Sequence, residues 1–223
     1  MFNIKDFLEK MTNYQEGGFE EKKYSFLIVK PNGVRHLETY VKALKENGFN
    51  IIEFFAIKDF ASINVELHNS KKKLRHIIPI NSMFKTSFGN YGILILISKA
   101  HITFEDFVKE VCDFKVDIRK QFIRTDLAYV FDISSLIGDQ QNQVIKIFDE
   151  NGNEVPKREM NQKGTFKVYS VNSLHSPDPT VDATITEIKI LNKMGIFDSR
   201  NIISRRIIRK IIEYETFAFI KDM

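Results

Sequence analysis

Apolar residues recur along the chain in short continuous runs and in longer periodic stretches, and the two patterns predict alternating strands and helices. Near-continuous apolar runs from Tyr24 to Val29, Ile51 to Ile57 and Gly92 to Ile97 predict buried strands. Between the first two runs, apolar side chains return at helical spacing from Leu37 to Asn47. A further helix is expected after Thr103, whose hydroxyl can cap its first turn.

Helical patterns are also found at both ends of the chain and around Pro79. Residues 1–23 predict an amphipathic helix that breaks at two consecutive glycines, and residues 63–88 predict two short helices separated by the proline. A helix is expected to start at residues 178–180 and to run to about Met194, with Asp178 as either its cap or a catalytic group. Residues 201–213 predict a basic amphipathic helix.

The composition is that of an ordinary globular chain, and it excludes several classes of protein. Of the 223 residues, 43% are hydrophobic and 28% are charged, which suits a soluble domain with one good core. The longest apolar run, Tyr91 to Ser98, is too short to cross a bilayer, and the N-terminus lacks a signal-peptide core. The single cysteine excludes an internal disulfide framework. We therefore expect a cytoplasmic protein without a membrane partner.

The net charge of +4 is modest, and two basic clusters stand out at residues 71–76 and 205–210. The second cluster is expected to be the solvated face of a helix. Neither cluster is interleaved with aromatic residues as a single-strand nucleic-acid platform would be. Nucleic acid is therefore disfavoured as a partner, and binding through the basic helices is only a third hypothesis, for which strong salt dependence is expected.

Residues 172–178, with the sequence Asn-Ser-Leu-His-Ser-Pro-Asp, carry the strongest chemical signal in the chain. They surround His175 with an amide, hydroxyls and a carboxylate, and Glu187 follows within a predicted helix. A neutral histidine can act as a nucleophile when one ring nitrogen is unprotonated and the other is held as a donor. A carboxylate such as Glu187 can accept that donor's proton in a hydrogen bond. The pattern indicates a histidine that accepts a phosphoryl group and passes it on.

Four segments of the chain resemble the nucleoside diphosphate kinase family, and they occur in the family's order. Residues 172–178 are similar to its active-site loop, Asn-x-x-His-Gly-Ser-Asp, and residues 26–34 resemble its first strand, which ends in Lys-Pro-Asp-Gly-Val. Residues 67–79 resemble its nucleotide-binding helical hairpin, and residues 122–126 resemble the segment that carries a phosphate-binding arginine. Four matches that occur in the family's order are stronger evidence for the resemblance than any one short motif.

The element order and the resemblance imply the same fold. Set against the family, residues 127–166 are an insertion, in which an Asn-Gly turn predicts a β-hairpin, and residues 166–171 predict the strand before the active-site loop. Without the insertion the order βαβ–αα–βαβα suits an α+β fold, with a ferredoxin-like antiparallel sheet covered by helices. The expected organisation is an N-terminal helical extension (1–23), a nucleoside-diphosphate-kinase-like domain (24–195) and a C-terminal helical extension (196–223).

The resemblance implies a role for each matching residue. It implies that His175 is phosphorylated, that Glu187 orients the ring and that Lys30 contacts phosphate as a point charge. The other implied nucleotide- or phosphate-binding positions are Arg124 (phosphate), Asn172 (ribose and phosphate), Ile77 (base stacking, with Tyr169 opposite), Arg75 (in the basic cluster) and Asn69 (where the family has a tyrosine). Mg2+ would arrive on the nucleotide phosphates, so no metal ligand from the protein is expected.

The chain also differs from the family at the expected site. Ser176 stands in place of the glycine after the active histidine, and Glu187 follows a one-residue insertion. The family's second phosphate-binding arginine and its threonine have no assigned position, and the nearby cations of the same sign are Lys109, Arg119 and Lys120. The other histidines with no comparable setting are expected to be surface or substrate-loop residues: His68, His76 and His101.

The leading hypothesis is a phosphotransferase that moves the γ-phosphate of a nucleoside triphosphate to a nucleoside diphosphate, or a related acceptor, through a phosphohistidine at His175. The alternative is a catalytically weak nucleotide-binding sensor or scaffold module on the same fold, motivated by Asn69 and by the unassigned arginine and threonine. The expected partners are the two nucleotides. Assembly into a homo-oligomer is left open, because the insertion and the C-terminal extension could block or replace the family's contacts.

Overall fold

The computed structural model describes residues 4–12, 23–69, 89–123, 129–132, 167–170 and 173–211. The helices in these ranges are α1 (Ile4–Thr12), α2 (Leu37–Glu46), α3 (Phe60–Asn69), α4 (Phe104–Ile123) and α5 (Val181–Lys193), with a further helical stretch at 205–211. The strands are β1 (Tyr24–Val29), β2 (Asn50–Ile57), β3 (Gly92–Ser98), β4 (Tyr129–Asp132), β5 (Lys167–Ser170) and β6 (Leu174–His175). Short 3-10 helices cover Pro31–His36 and Ser199–Asn201. No helix in the described ranges has both the length and the apolar character needed to cross a membrane.

Four strands form the central antiparallel sheet, in the order β2-β3-β1-β6. β3 is antiparallel to both of its neighbours, so β1 and β2 run in the same direction on either side of it, and α2 connects them. This split β-α-β arrangement is the ferredoxin-like pattern. The α+β fold with an antiparallel sheet and packed helices, as predicted from the sequence, is confirmed.

The two central strands are buried along their whole length, which explains their near-continuous apolar sequences. Every residue of β1 and of β3 is buried. Because successive side chains of a strand face opposite sides of the sheet, burial at every position means that both faces are covered. The apolar side chains that α4 adds to this core are Phe104, Phe107, Val108, Val111, Phe114 and Ile118.

The first half of the chain folds as its sequence predicts. β1 has the predicted bounds, and β2 and β3 each exceed the prediction by one residue. At the start of α4, the Thr103 hydroxyl oxygen accepts a hydrogen bond from the Asp106 backbone N–H at 3.1 Å, as expected of the cap. Of the two helices expected in residues 63–88, the first corresponds to α3 and the rest of that segment lies outside the described residues.

The cap of α5 is Thr180, so the assignment of this role to Asp178 was wrong. Thr180 has an extended backbone, and its hydroxyl oxygen accepts a hydrogen bond from the Ala183 N–H at 3.2 Å, which is the geometry that a cap requires. The Asp178 backbone carbonyl accepts a hydrogen bond from the Thr180 N–H at 2.7 Å. The predicted end of the helix is confirmed, since Gly195 follows it with φ of +73°.

The last strand of the central sheet is β6, and this corrects the predicted setting of His175. The strand predicted at residues 166–171 exists as β5, but β5 pairs with β4 in a separate two-stranded sheet. His175 is itself part of a strand and pairs with Ile28 of β1, so it does not lie in a loop after the sheet. A strand of two residues is too short to produce a period-two sequence signal. The hairpin predicted within 127–166 lies outside the described residues.

The basic helix predicted at residues 201–213 starts later, at residue 205. The isoleucines before it pair with the edge of the sheet, where Ile202 forms a β-bridge with Phe55 and the Ile203 N–H donates to the Phe54 carbonyl at 2.9 Å. β2 is an edge strand, and an edge strand has backbone groups that need partners. Pairing with β2 therefore prevails over the helical spacing of these apolar residues.

Candidate active site

His175 and Glu187 form a buried hydrogen-bonded pair where β6 faces α5. The distance from His175 Nε2 to Glu187 Oε2 is 2.7 Å, and the two residues are 7% and 2% exposed. A carboxylate only accepts hydrogen bonds, so Nε2 carries the proton and donates it to Glu187. In a neutral imidazole the other ring nitrogen, Nδ1, then carries the lone pair. The pairing of these two residues, which the sequence only suggested, is present in the structure.

The electrostatic surroundings keep the His175 ring neutral. Burial has the largest effect and lowers the pKa of His175 below its ordinary value of 6.5. The charge of Glu187 and its hydrogen bond raise the pKa in part, while the charges of Lys30 and Lys115 lower it further. The net shift is downward, so the ring is unprotonated at Nδ1 at physiological pH.

Lys30 lies at the end of β1, on the strand that pairs with β6. Ile28 pairs with His175, and Lys30 follows Ile28 by two residues. The side chains of Ile28 and Lys30 therefore lie on the same side of the strand. The lysine is only 4% exposed, and its charge is close enough to the ring to lower the pKa of His175. The Lys30 backbone N–H donates to the Ser173 carbonyl at 2.8 Å, which continues the pairing of the two strands.

A second buried lysine, Lys115 of α4, was not found by sequence reasoning. It is 8% exposed, and its charge also lowers the pKa of His175. A signal for it exists in the sequence, because Lys115 interrupts the buried apolar stripe formed by Val111, Phe114 and Ile118. Lys109, one of the substitutes considered for the missing arginine, is on the exposed side of the same helix and pairs with Asp106 at 3.8 Å.

His68 belongs to the site, which corrects its assignment to the surface or a substrate loop. Its ring centroid lies 5.6 Å from that of His175, with an angle of 60° between the two ring planes. The Asn64 carbonyl lies 2.8 Å from His68 Nδ1, and because a carbonyl only accepts, Nδ1 is the protonated nitrogen. Phe26 flanks His175 as well, with its ring centroid at 6.4 Å. The fold brings α3 next to β6, and although residues 67–79 resemble a nucleotide-binding hairpin, that resemblance gave His68 no role beside His175.

Tyr40 and Ser173 form a second buried contact beside the site, which the sequence did not predict even though Ser173 lies in the segment 172–178. The Tyr40 hydroxyl lies 2.6 Å from the Ser173 hydroxyl oxygen, and the two residues are 133 positions apart in the chain. Gly33 packs against this contact so closely that a Cβ atom there would lie 2.8 Å from Ser173 Cβ and 3.3 Å from the Tyr40 hydroxyl. The apolar spacing of α2 predicts that Tyr40 is buried, but it gives no indication of a polar partner.

The other predicted site residues fall where the structure gives no account of their side chains. Asn69 is the last residue of α3, and its side chain is outside the described part of the chain. The predicted site residues that lie wholly outside the described ranges are Arg75, Ile77, Arg124 and Asn172. Their roles stay predictions.

Comparison with known proteins found similar solved structures. No protein-family model matches the chain, and no curated protein matches it. One similar solved structure is a halophilic nucleoside diphosphate kinase from Halobacterium salinarum in complex with CDP, with 13% identity, a TM-score of 0.42 and coverage of 82% of this chain and 93% of that chain. Another is the transition-state mimic of the nucleoside-diphosphate kinase from Borrelia burgdorferi with bound vanadate and ADP, with 13% identity, a TM-score of 0.39 and coverage of 82% and 90%. Similarity this distant does not identify a family.

Proposed function

We propose that this chain is a phosphotransferase that takes the γ-phosphate of a nucleoside triphosphate onto His175 and passes it to a nucleoside diphosphate or a related acceptor. The observation that carries the proposal is the buried hydrogen bond of 2.7 Å between His175 Nε2 and Glu187, with two lysines close to the ring. This arrangement supplies a neutral ring with its lone pair at Nδ1, a carboxylate behind it and positive charge beside it. Transfer of a phosphoryl group through a histidine would use all three features.

In the first half-reaction, the Nδ1 lone pair attacks the γ-phosphorus and a nitrogen–phosphorus bond forms. The bond from that phosphorus to the bridging oxygen breaks, and the oxygen leaves with its electron pair as part of the nucleoside diphosphate. The ring becomes cationic, and Glu187 stabilises that charge through the Nε2 hydrogen bond. The second half-reaction reverses these steps with a different diphosphate, whose terminal oxygen attacks the phosphorus and restores the neutral ring.

Lys30 and Lys115 are proposed to stabilise the negative charge of the transferred group. Both are buried, and electrostatic interactions are stronger where water is excluded. The residues outside the described site are proposed to complete nucleotide binding as the sequence implies: Arg75, Ile77, Arg124 and Asn172, with Asn69 at the end of α3.

Mg2+ is compatible with this site as part of the nucleotide. The charged groups found around the His175 ring are two lysines and a carboxylate that is engaged with Nε2. In the described part of the chain, no three His, Cys, Asp or Glu side chains gather as a metal site. Since Mg2+ prefers oxygen ligands, the phosphate oxygens would hold it, and it would offset their charge during transfer.

The direct test is phosphorylation of the purified protein by γ-labelled ATP, followed by a chase with a panel of nucleoside diphosphates. We expect an acid-labile, base-stable label that chases to nucleotide and that is absent from His175→Ala. A matched control is His101→Asn, because His101 is exposed and has φ of +59°, a conformation that asparagine tolerates. Label that persists in His175→Ala would contradict the proposal.

A second candidate is a nucleotide-binding sensor or scaffold module with little turnover. The observation that favours it is the burial of the His175 side chain, which is 9% exposed, because a nucleophile has to be reached by its substrate. This candidate predicts nucleotide binding without exchange of phosphate between nucleotides. Calorimetric titration with ATP and ADP tests it, and the absence of any binding would exclude it.

A further inference from the structure

β6, the strand that carries His175, is short, although its register has to be exact for His175 to face Glu187. β6 has two residues, and its register with β1 consists of two pairs, Ile28 with His175 and Val29 with Leu174. A slip of one residue in a strand moves every side chain to the other face of the sheet. A slip in β6 would therefore take the His175 ring away from Glu187, so other contacts have to fix the position of this strand.

Ser173, the residue before β6, is held on two sides. Its carbonyl accepts the Lys30 N–H at 2.8 Å, and its hydroxyl lies 2.6 Å from the Tyr40 hydroxyl. The first contact connects it to the end of β1, and the second connects it to α2. Both side chains of the second contact are buried, Tyr40 at 0% and Ser173 at 7% exposure, so water competes little for this hydrogen bond.

The packing around this contact allows little movement. The close approach of Gly33 leaves no room for a Cβ atom between the 3-10 helix and Ser173. The Gly33 N–H also donates to the Lys30 carbonyl at 2.8 Å, so Lys30 is fixed by backbone hydrogen bonds at both its N–H and its carbonyl. Burial raises the pKa of Tyr40 to about 12, so its hydroxyl keeps its proton throughout the physiological range.

We propose that Tyr40 and Ser173 are positioning residues, whose hydrogen bond fixes the register of β6 and so sets His175 against Glu187 and Lys30. Ser173 is two positions before His175, and residues at this spacing in an extended chain lie on the same side. A displacement of Ser173 therefore moves the His175 ring directly. This proposal rests on the proposed function, because it assigns the two residues to the phosphoryl-transfer geometry.

Three variants separate positioning from simple stabilisation: Tyr40→Phe, Ser173→Ala and the double variant. Each single change breaks the buried hydrogen bond but keeps one of its two hydroxyls, whereas the double variant removes both hydroxyls and is expected to regain thermal stability. If the hydrogen bond sets the register of β6, phosphorylation of the double variant stays slow even though its thermal stability recovers. We expect phosphorylation at saturating ATP to be slower by about 10- to 100-fold in all three, with ATP affinity largely retained.

The matched control is Leu44→Ala, which removes a fully buried side chain one helical turn further along α2 and does not involve Ser173. Its stability is expected to fall while its rate of phosphorylation at low temperature stays near that of the wild type. An equal loss of rate in Leu44→Ala, or a double variant with the wild-type rate, would show that the Tyr40–Ser173 contact only stabilises the fold.

A readout that does not depend on activity keeps this proposal distinct from the proposed function. The Nε2 proton of His175, held by Glu187, is observable by NMR in protein labelled with 15N at histidine. Faster exchange of this proton in Tyr40→Phe and in the double variant, but not in Leu44→Ala, supports positioning even if the wild type takes no phosphate. Unchanged exchange in all variants would overturn it.

Discussion

At the scale of single residues, the Glu187 carboxylate determines which nitrogen of His175 carries the lone pair. Because Oε2 accepts from Nε2 at 2.7 Å, the lone pair of the neutral ring is at Nδ1. The same carboxylate offsets part of the decrease that burial causes in the pKa of the ring. Glu187 therefore orients the ring, and in the proposed transfer it would also stabilise the positive charge that phosphorylation creates.

Glu187→Gln is expected to slow phosphorylation of His175 by about 10- to 100-fold. The amide keeps the size of the side chain, but it lacks the negative charge and can present an N–H group to the ring. The rate of labelling by γ-labelled ATP measures the effect, with the exposed Glu105→Gln on α4 as the control. A wild-type rate in Glu187→Gln would mean that the carboxylate is not part of the transfer step.

The rate of phosphorylation is expected to stay high as the pH falls to 6.5 and to decline only below it. The pKa of His175 is lowered by burial in the folded protein, so the reactive neutral ring persists below the ordinary histidine value. Replacement of Lys115 by Met removes a charge that lowers this pKa, and the decline should then begin at a higher pH. Rates measured between pH 5 and pH 8 test both statements, and a decline that starts above 6.5 in the wild type would contradict them.

At the scale of elements, the long apolar and periodic segments could be predicted from sequence, whereas the short ones could not. β1, β2, β3, α2 and α5 lie within a few residues of their predicted bounds because each is long enough to show a continuous apolar run or a helical period. β6 has two residues and shows none. The segment around Ile202 has helical spacing, but it pairs with β2 because an edge strand needs partners for its backbone groups.

Ile202 and Ile203, which pair with β2, are expected to protect the edge of that strand, and Ile203→Pro tests this. Proline removes the N–H that donates to the Phe54 carbonyl, while Ile202, with φ of −63° and ψ of 124°, already has a conformation that suits a residue before proline. Ile203→Ala is the matched control, since it loses the buried side chain but keeps the N–H.

Both variants of Ile203 should lose stability, by about 2 to 5 kcal/mol for the alanine change. Only the proline variant should also associate with itself as its concentration rises, because its edge strand is exposed. Thermal unfolding and light scattering measure the two effects. Equal association in both variants would show that the backbone hydrogen bond has no protective role.

At the scale of the whole molecule, the sequence predicted the α+β fold and three residues of the candidate site. His175, Glu187 and Lys30 were predicted because each lies in a short motif or follows one closely. The missed residues come from α2, α3 and α4, and only the fold brings them to β6: Tyr40, His68, Lys115 and, beside the strand itself, Ser173. Such residues leave no local pattern, although a lysine within an apolar stripe, as at position 115, is a signal to look for.

If His175 is the phosphorylated residue, the position of the phosphoryl group on its ring shows whether the Glu187 hydrogen bond selects the reacting nitrogen. Protein labelled with 15N at histidine is phosphorylated by ATP, and NMR assigns the nitrogen that is bonded to phosphorus. The geometry predicts phosphorylation of His175 at Nδ1, with Nε2 still protonated against Glu187. A phosphoryl group on Nε2, or on a residue other than His175, would contradict the account.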